Sequence, residues 1–403
     1  MGRHSSTWHW PRKSSWHTLL LLLGIIFIGA NLRAPLTAVG SLIPFIRDDL
    51  HMPNAIAGTI TTVPLLAFAF ISPLAPKLAR KTGMEQAIFI SLLLLAVGMS
   101  VRSLGGISVL FAGTIIIGCA IAVSNVLLPG FIKTSFPRGV GIMTGIYSVA
   151  MNLFGALSSG VSVPLSKWHG FGWRGALAFW VILVLVAIII WLPRLERKKD
   201  IKHFKDAALE SKSIWKSPLA WKVTLFMGSQ SLVFYTMMTW LPELLQLRGF
   251  SESAAGWMLS LMQFALIPVT FFIPVIADKM KSQQSLSMMT ACFYFTGIGL
   301  LLIENTALAF VSIILIGIAS GSAFSLSMMF FTLRTENSQE SAELSGMAQS
   351  FGYLLASIGP VLFGGLHDLT QSWTLPILML LVNVLLFFYV GYGAGKPVKV
   401  RGS

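Results

Sequence analysis

The chain has 403 residues, of which 55% are hydrophobic and only 11% charged, and its formal net charge is +14. Soluble domains carry about 25% charged residues, so an ordinary water-facing surface is excluded, and the mean hydropathy of +0.77 agrees. The excess of positive charge does not indicate nucleic acid, because no basic face interleaved with stacking aromatics is present.

Apolar runs long enough to cross a hydrocarbon core of about 30 Å recur along the whole chain. In lipid the backbone must satisfy its own hydrogen bonds, so these runs are expected to be helices. The first six fall at 18–46, 55–79, 85–103, 107–131, 138–165 and 173–193; the second six fall at 218–242, 253–277, 284–303, 307–331, 341–365 and 373–394. The sequence therefore predicts an all-α membrane protein, with twelve transmembrane helices in two six-helix pseudo-symmetric bundles. Residues 1–193 form the first bundle, 194–217 a polar connector and 218–403 the second bundle. Prolines 35, 64, 129, 164, 268 and 360 interrupt several runs, as packed membrane helices tolerate. The first run follows Arg12 and Lys13 as a signal peptide would, but it continues past Asn31 and Arg33 to Ile46 without a clean small-residue cleavage site. An uncleaved first helix is expected.

Charge sets the orientation. Of the 29 Lys and Arg, 23 lie in the tails, the connector and the loops on one side of this twelve-span layout. The alternate loops hold only Arg47, Arg102, Lys167, Arg174 and Arg248. This bias places both termini in the cytoplasm of a multi-pass inner-membrane protein. The connector mixes lysines with Glu196, Asp200, Asp206 and Glu210, and reads as a solvated segment near anionic lipid.

The two halves repeat. At an offset of 198 residues Pro44 falls on Pro242, Ala57-Gly58 on Ala255-Gly256, and Pro76 on Pro274; at 201, Thr144-Gly145-Ile146 falls on Ser345-Gly346-Met347. Parallel six-helix repeats place a substrate site between the halves near the bilayer midplane.

Arg33 is the most informative residue for chemistry. It lies about 24 Å along the first helix from His17 at 1.5 Å per residue, close to mid-depth. An arginine there costs about 2.5–3.5 kcal/mol on insertion scales, so it should face the interior and find a partner. No Asp or Glu lies at mid-depth in any span. The remaining partners are carbonyls, water or a bound anion, and an arginine that merely caps broken-helix carbonyls near Pro35 is the competing reading. Arg102 sits near the outer end of the third span, where it could snorkel to the interface or greet an incoming solute. The amides within spans are Asn125, Asn152, Gln230, Gln263, Gln349 and Asn383, each a candidate either for binding or for tying helices together. The 198-residue offset sets Ser229, Gln230 and Ser231 in the seventh span opposite Asn31 and Arg33 in the first. Tyr147 and Tyr235 could line the same cavity.

The loops after the second helix of each half, Pro76-Lys77-Leu78-Ala79-Arg80-Lys81 with Gly83, and Pro274-Val275-Ile276-Ala277-Asp278-Lys279, resemble the loop signature of the major facilitator superfamily. The match is degenerate. Arg80 stands at the acidic position of the first copy, and Lys281 stands where the second copy should have glycine. The resemblance implies a gating role for Arg80, Lys81, Gly83, Asp278 and Lys279. Four further stretches are similar to the cyanate permease and 2-nitroimidazole transporter family within that superfamily. They are Asn31-Leu32-Arg33-Ala34-Pro35-Leu36-Thr37, Asn125-Val126-Leu127-Leu128-Pro129 with Lys133, Tyr147 and Asn152 with Gly172-Trp173-Arg174, and Gln230-Ser231-Leu232-Val233-Phe234-Tyr235 with Trp240-Leu241-Pro242. This likeness implies a transporter, acting as a monomer, for a small polar or anionic solute such as cyanate.

The expected substrate-binding set is Arg33, Asn31, Asn125, Asn152, Gln230, Tyr147 and Tyr235. Efflux of small polar aromatics through the same site is an alternative, and a sensor or scaffold without flux is a third reading, disfavoured by the short tails. No enzyme constellation, metal site or cofactor is expected. The seven histidines fall in tails, loops or span ends, no phosphate-binding loop occurs, and Cys119 and Cys292 show no metal or disulfide spacing and read as small buried hydrophobes.

Overall fold

The computed structural model describes residues 15–195 and 214–400. Most of the connector expected at 194–217 lies outside the described residues. Among the described residues the helices are α1 (Ser15–Leu50), α2 (Asn54–Ile71), α3 (Ala75–Thr82), α4 (Met84–Arg102), α5 (Ile107–Ser135), α6 (Val140–Lys167), α7 (Gly172–Phe179), α8 (Val181–Trp191), α9 (Pro218–Gln246), α10 (Glu252–Lys279), α11 (Gln284–Leu300), α12 (Thr306–Leu333), α13 (Ser338–Thr370) and α14 (Thr374–Ala394). A single 3₁₀ turn at Ser72–Leu74 joins α2 to α3 into one column, and α7 runs on into α8, so the fourteen helices make twelve crossings. Ten crossings among the described residues are long and apolar enough to span a bilayer by themselves. The other two are α9 and α11. The first carries Ser229-Gln230-Ser231 at its centre, and the second has 17 residues.

The polar caps explain where the later helices start. Ser217, Ser251, Asn305 and Asn337 each accept hydrogen bonds from backbone N–H groups in the first turn of the helix they precede, which satisfies donors that have no intrahelical partner.

Both halves use the same packing scheme. In the first, α1 packs mainly on α6 and also on α8, α4 on α5 and α8, and α2 on α5. In the second, α9 packs mainly on α13 and also on α14, α11 on α12 and α14, and α10 on α12. The halves then meet through α6 with α10 and through α2 with α13, two contacts exchanged by the pseudo-twofold. The repeated glycines make these contacts possible. A Cβ on Gly145 would stand 3.0 Å from the Phe271 carbonyl oxygen, and one on Gly346 would stand 2.8 Å from that of Ser72. The two residues of the 201-offset repeat thus do the same job in opposite halves: each lets a backbone approach that any side chain would prevent.

An even number of crossings brings the start of α1 and the end of α14 to one face, here termed the terminal face. Arg80, Lys81, Lys133, Arg138, Lys279, Lys281, Arg334, Lys396 and Lys399 gather there by helix parity. Arg334 is buried at this face, donating to the carbonyls of Ala394 and Gly395 and to Gln283 Oε1. Burial pushes its guanidinium down to about 10. Burial first, and then the neighbouring Arg334 charge, lower the Lys399 ammonium in the same way.

Among the described residues, the hydrogen bonds that join the halves all lie between mid-depth and the terminal face. Arg80 pairs with Glu343 at 2.8 Å. Lys133 donates to the Thr332 and Thr335 carbonyls, Gly141 N donates to Asp278 Oδ2 at 3.2 Å, and Ser350 donates to the Ala69 carbonyl. The structure is therefore closed on the terminal face. Substituting Gly145 or Gly346 with Leu should push the halves apart there. A cysteine at Ser320, in a chain lacking Cys119 and Cys292, should then react faster with a membrane-impermeant thiol reagent added from the terminal side. Unchanged labelling would show that these glycines do not hold the closed face.

Candidate functional site

The site is built around a break in α1. Pro35 lies inside this helix and has no N–H to donate, so the hydrogen-bond ladder is interrupted one turn earlier. Side chains hold the segment instead. Asn31 Nδ2 donates to the carbonyls of Phe27 (2.8 Å) and Leu183 (3.2 Å). The Thr37 hydroxyl donates to the Gly155 carbonyl at 2.8 Å and lies 2.7 Å from Ser158 Oγ. Between these two anchors Arg33 projects towards the second half.

Among the described residues the Arg33 guanidinium makes one side-chain hydrogen bond, from Nη1 to Asn152 Oδ1 at 3.3 Å on α6, and its Cζ lies 5.0 Å from the centre of the Phe234 ring on α9. The second contact is a cation–π interaction that crosses between the halves. Arg33 is only half-buried. It opens onto a cavity of about 40 Å³ lined also by Asn152, Gln230, Ser231, Phe234 and Tyr235, and by Thr270, Ser320 and Tyr353. That volume holds about three waters. None of the lining residues is acidic, so the cation has no fixed counter-charge there. Gln230 is held by Nε2 donating to Ser231 Oγ at 2.7 Å. Tyr235 packs edge-on against both Phe234 and Tyr353, which gives the cavity an aromatic wall.

Four of the expected residues, Arg33, Asn152, Gln230 and Tyr235, thus meet in one cavity. Three others lie outside it. Asn31 fixes α1 against α8 through Nδ2, while its Oδ1 is buried with no hydrogen-bond partner among the described residues. Asn125 is buried and donates to Gln349 Oε1 across the halves at 2.8 Å, and Gln349 Nε2 returns a bond to the Asn125 carbonyl. Both lie about 15 Å in from the helix ends on the terminal side, so this pair ties the halves below the cavity. Tyr147 is 1% exposed, packed where α6 meets Gly29 of α1, and does not line the cavity.

Arg102 corrects another expectation. It does not snorkel to the interface. It is completely buried and donates to the Pro35 carbonyl at 2.8 Å, because its long side chain runs inward from the end of α4. Neither cysteine is buried in the core either: Cys119 is half-buried and Cys292 exposed, where lipid can supply the apolar surroundings.

The loop residues divide as well. Arg80 and Asp278 make the cross-half contacts described above. Gly83 takes φ +92°, the left-handed region that favours glycine. Lys81 and Lys279 are exposed on the terminal face and show no ion pair among the described residues. Near that face a wider vestibule of about 630 Å³ is lined by Lys133, Asp278, Thr335, Glu336 and Lys399. At the far face, Trp173 Nε1 donates to Asp49 Oδ2 (3.0 Å) and Arg174 pairs with the same oxygen (3.3 Å). That stretch fastens the end of α1 to α7 and does not line the site.

Tyr353, Thr270 and Ser320 escaped the sequence reading. For Tyr353 a signal existed, because the 201-residue offset carries Asn152 onto Tyr353 just as the 198-residue offset carries Arg33 onto Ser231. All four line the cavity, so it sits on the pseudo-twofold relating the halves. Thr270 and Ser320 carry no such mark, since small hydroxyls are common in membrane helices.

A twelve-helix chain folded as two equivalent bundles, with its polar cavity on their shared axis, has a definite family. Residues 19–360 match the profile of the Major Facilitator Superfamily. The chain belongs to that superfamily. As a facilitator-superfamily transporter it is similar to the 2-nitroimidazole transporter of Escherichia coli (strain K12), with 40% identity over 95% of this chain and 97% of that one. It is 24% identical to the cyanate transport protein CynX of the same organism, over 88% of this chain and 91% of that one. An uncharacterized transporter of Bacillus subtilis (strain 168), YycB, is 46% identical over 96% of both chains. Among solved structures, the proton:xylose symporter XylE superposes with a TM-score of 0.73 at 14% identity, covering 95% of this chain and 97% of that one. FucP in its outward conformation gives 0.71 at 13%, covering 94% and 99%. These superpositions show the facilitator fold and leave the solute open.

Asn152 offers a direct test of the cavity's electrostatics. Asn152→Asp should place a carboxylate beside the Arg33 guanidinium and raise the thermal midpoint of the purified protein in detergent, whereas Asn152→Leu, which leaves the cation without its acceptor, should lower it. Equal effects of the two substitutions would mean that Arg33 does not rest on Asn152.

Proposed function

We propose that this transporter carries a small polar or anionic solute, such as cyanate, by alternating access, with the solute's negative end on Arg33. One observation carries the reading: a guanidinium near mid-depth, open to a cavity between the halves, with a single side-chain acceptor and no acidic neighbour in the lining. A charge so placed is costly in lipid, and an incoming anion supplies the missing partner. Asn152, Gln230 and Ser231 offer amide and hydroxyl groups to orient it. A cavity of about 40 Å³ suits a solute of a few heavy atoms.

The closed terminal face and its cross-half bonds support a rocking-bundle cycle in which Arg80–Glu343, Gly141–Asp278, Lys133–Thr335 and Asn125–Gln349 form and break. The clustering of basic residues supports a cytoplasmic terminal face, with both chain ends inside a cytoplasmic membrane, and a single chain supplies the whole cavity, in keeping with a monomer as the working unit. The 1–193 and 218–403 halves would be the moving bodies.

Efflux of small polar aromatics is a second reading, favoured by the aromatic wall of Phe234, Tyr235, Phe324 and Tyr353 and by the 40% identity to a protein named as a 2-nitroimidazole transporter. A ring would require Phe234 or Tyr353 to swing aside. Comparing the 2-nitroimidazole sensitivity of cells with and without the protein separates this reading from import of a small anion.

In proteoliposomes, Arg33→Ala should cut cyanate uptake by at least about tenfold, equivalent to about 1.4 kcal/mol of lost interaction. Arg33→Lys should fall between, keeping the charge but losing the planar donor fork. Asn152→Asp should raise the KM for an anion more than Asn152→Leu does, because it neutralises the site. Wild-type KM and rate in a folded Arg33→Ala protein would remove Arg33 from recognition.

A further inference from the structure

Arg102 is the second arginine inside the membrane-spanning part of the first half, and neither the cavity nor the cross-half bonds use it. It is completely buried. Of its three guanidinium nitrogens only Nη1 is bonded, to the Pro35 carbonyl at 2.8 Å, while Nε and Nη2 have no partner among the described residues. A buried arginine so poorly satisfied destabilises its surroundings, so the one bond it makes is where its contribution should be sought.

That bond falls at a particular place. Pro35 interrupts the ladder of α1, and the carbonyl gripped by Arg102 is two residues from Arg33. Asn31 anchors the segment to Leu183 on one side of Arg33, and Thr37 anchors it to Gly155 on the other. Arg102 supplies a third fixed point, reaching from α4, which packs mainly on α5 and α8. The gripped carbonyl belongs to the same helical turn as Arg33, so the bond fixes the backbone from which the Arg33 side chain extends. The seat of Arg102 is itself specified. A Cβ on Gly113 of α5 would stand 2.4 Å from the Arg102 backbone nitrogen, so only glycine there lets the end of α4 sit where its side chain can reach Pro35.

We propose that Arg102 is a positioning residue which, by holding the Pro35 carbonyl, fixes the broken segment of α1 and aims the Arg33 guanidinium into the central cavity. The proposal rests on the reading of Arg33 as the solute-binding group. It predicts that disturbing Arg102 misplaces Arg33, whereas a merely structural arginine would affect only folding.

The test uses the full-length protein with 4-fluorophenylalanine at position 234, whose ¹⁹F resonance senses the guanidinium 5.0 Å from the ring. Arg33→Ala sets the resonance expected when the cation is gone. Arg102→Gln should move the signal part of the way towards that value and raise the KM for cyanate uptake about tenfold, within the range of couplings between residues in one network, with a smaller change in maximal rate. Arg102→Lys, which keeps a donor for the Pro35 carbonyl, should recover much of both. Gly113→Ala, which shifts Arg102 without altering its side chain, should act in the same direction and carries the test if Arg102→Gln does not fold. A folded Arg102→Gln or Gly113→Ala protein with the wild-type ¹⁹F position and KM, altered only in thermal midpoint, overturns the proposal. An ¹⁹F signal unmoved by Arg33→Ala overturns it too, since the cation would then not lie on the ring. Arg33→Ala with wild-type uptake defeats the binding reading by itself, and the ¹⁹F response to Arg102→Gln still decides whether Arg102 positions Arg33.

Discussion

A guanidinium held near the middle of a membrane protein dictates much of what surrounds it. Such a charge cannot face lipid without a large cost, so the helix that bears it must turn it inward. The inward side of α1 is the seam between the two bundles. There Asn152 accepts one hydrogen bond and the Phe234 ring offers its electron-rich face. Neither contact neutralises the charge. The cavity lining therefore carries a positive charge with no acidic group beside it.

The proline two residues further on serves the same arrangement. A continuous helix would hold Arg33 through its own backbone ladder. Pro35 has no N–H to give to that ladder, and side-chain bonds to three other helices hold the segment: Asn31 to the Leu183 carbonyl, Thr37 to the Gly155 carbonyl, and Arg102 of α4 to the Pro35 carbonyl. Local backbone geometry is thereby placed under the control of tertiary contacts, so a change in how the helices pack can be felt at the charge.

Pseudo-symmetry organises the rest. Gly145 and Gly346 perform the same close approach in opposite halves, and the cavity is lined by the repeat-related pairs Arg33 with Ser231 and Asn152 with Tyr353. The pairs match in position and differ in chemistry: the first half contributes the cation and its amide, the second a hydroxyl and a phenol. Duplicated architecture thus fixes where the site is, and divergence between the copies decides what it can hold. Cross-half bonds gathered between mid-depth and the terminal face leave this conformation closed on that side.

The sequence by itself determined the crossings and the repeat. Both are written in composition and periodic position: apolar length sets the spans, and proline and glycine recurring at fixed offsets reveal the duplication. It also singled out Arg33, because an ion without a carboxylate at its depth is visible from counting alone. Only the tertiary structure decided which polar residues share the cavity. Asn31, Asn125 and Tyr147 look as suitable as Asn152, Gln230 and Tyr235 in sequence, yet the first group ties helices together or is buried outside the cavity lining. Arg102 appears from its position to belong at the interface, yet it is buried against Pro35. The reason is geometric. Depth along a helix follows from residue number, but the direction a side chain faces depends on the rotation of each helix about its own axis and on how it packs. Both are set by neighbours distant in the chain.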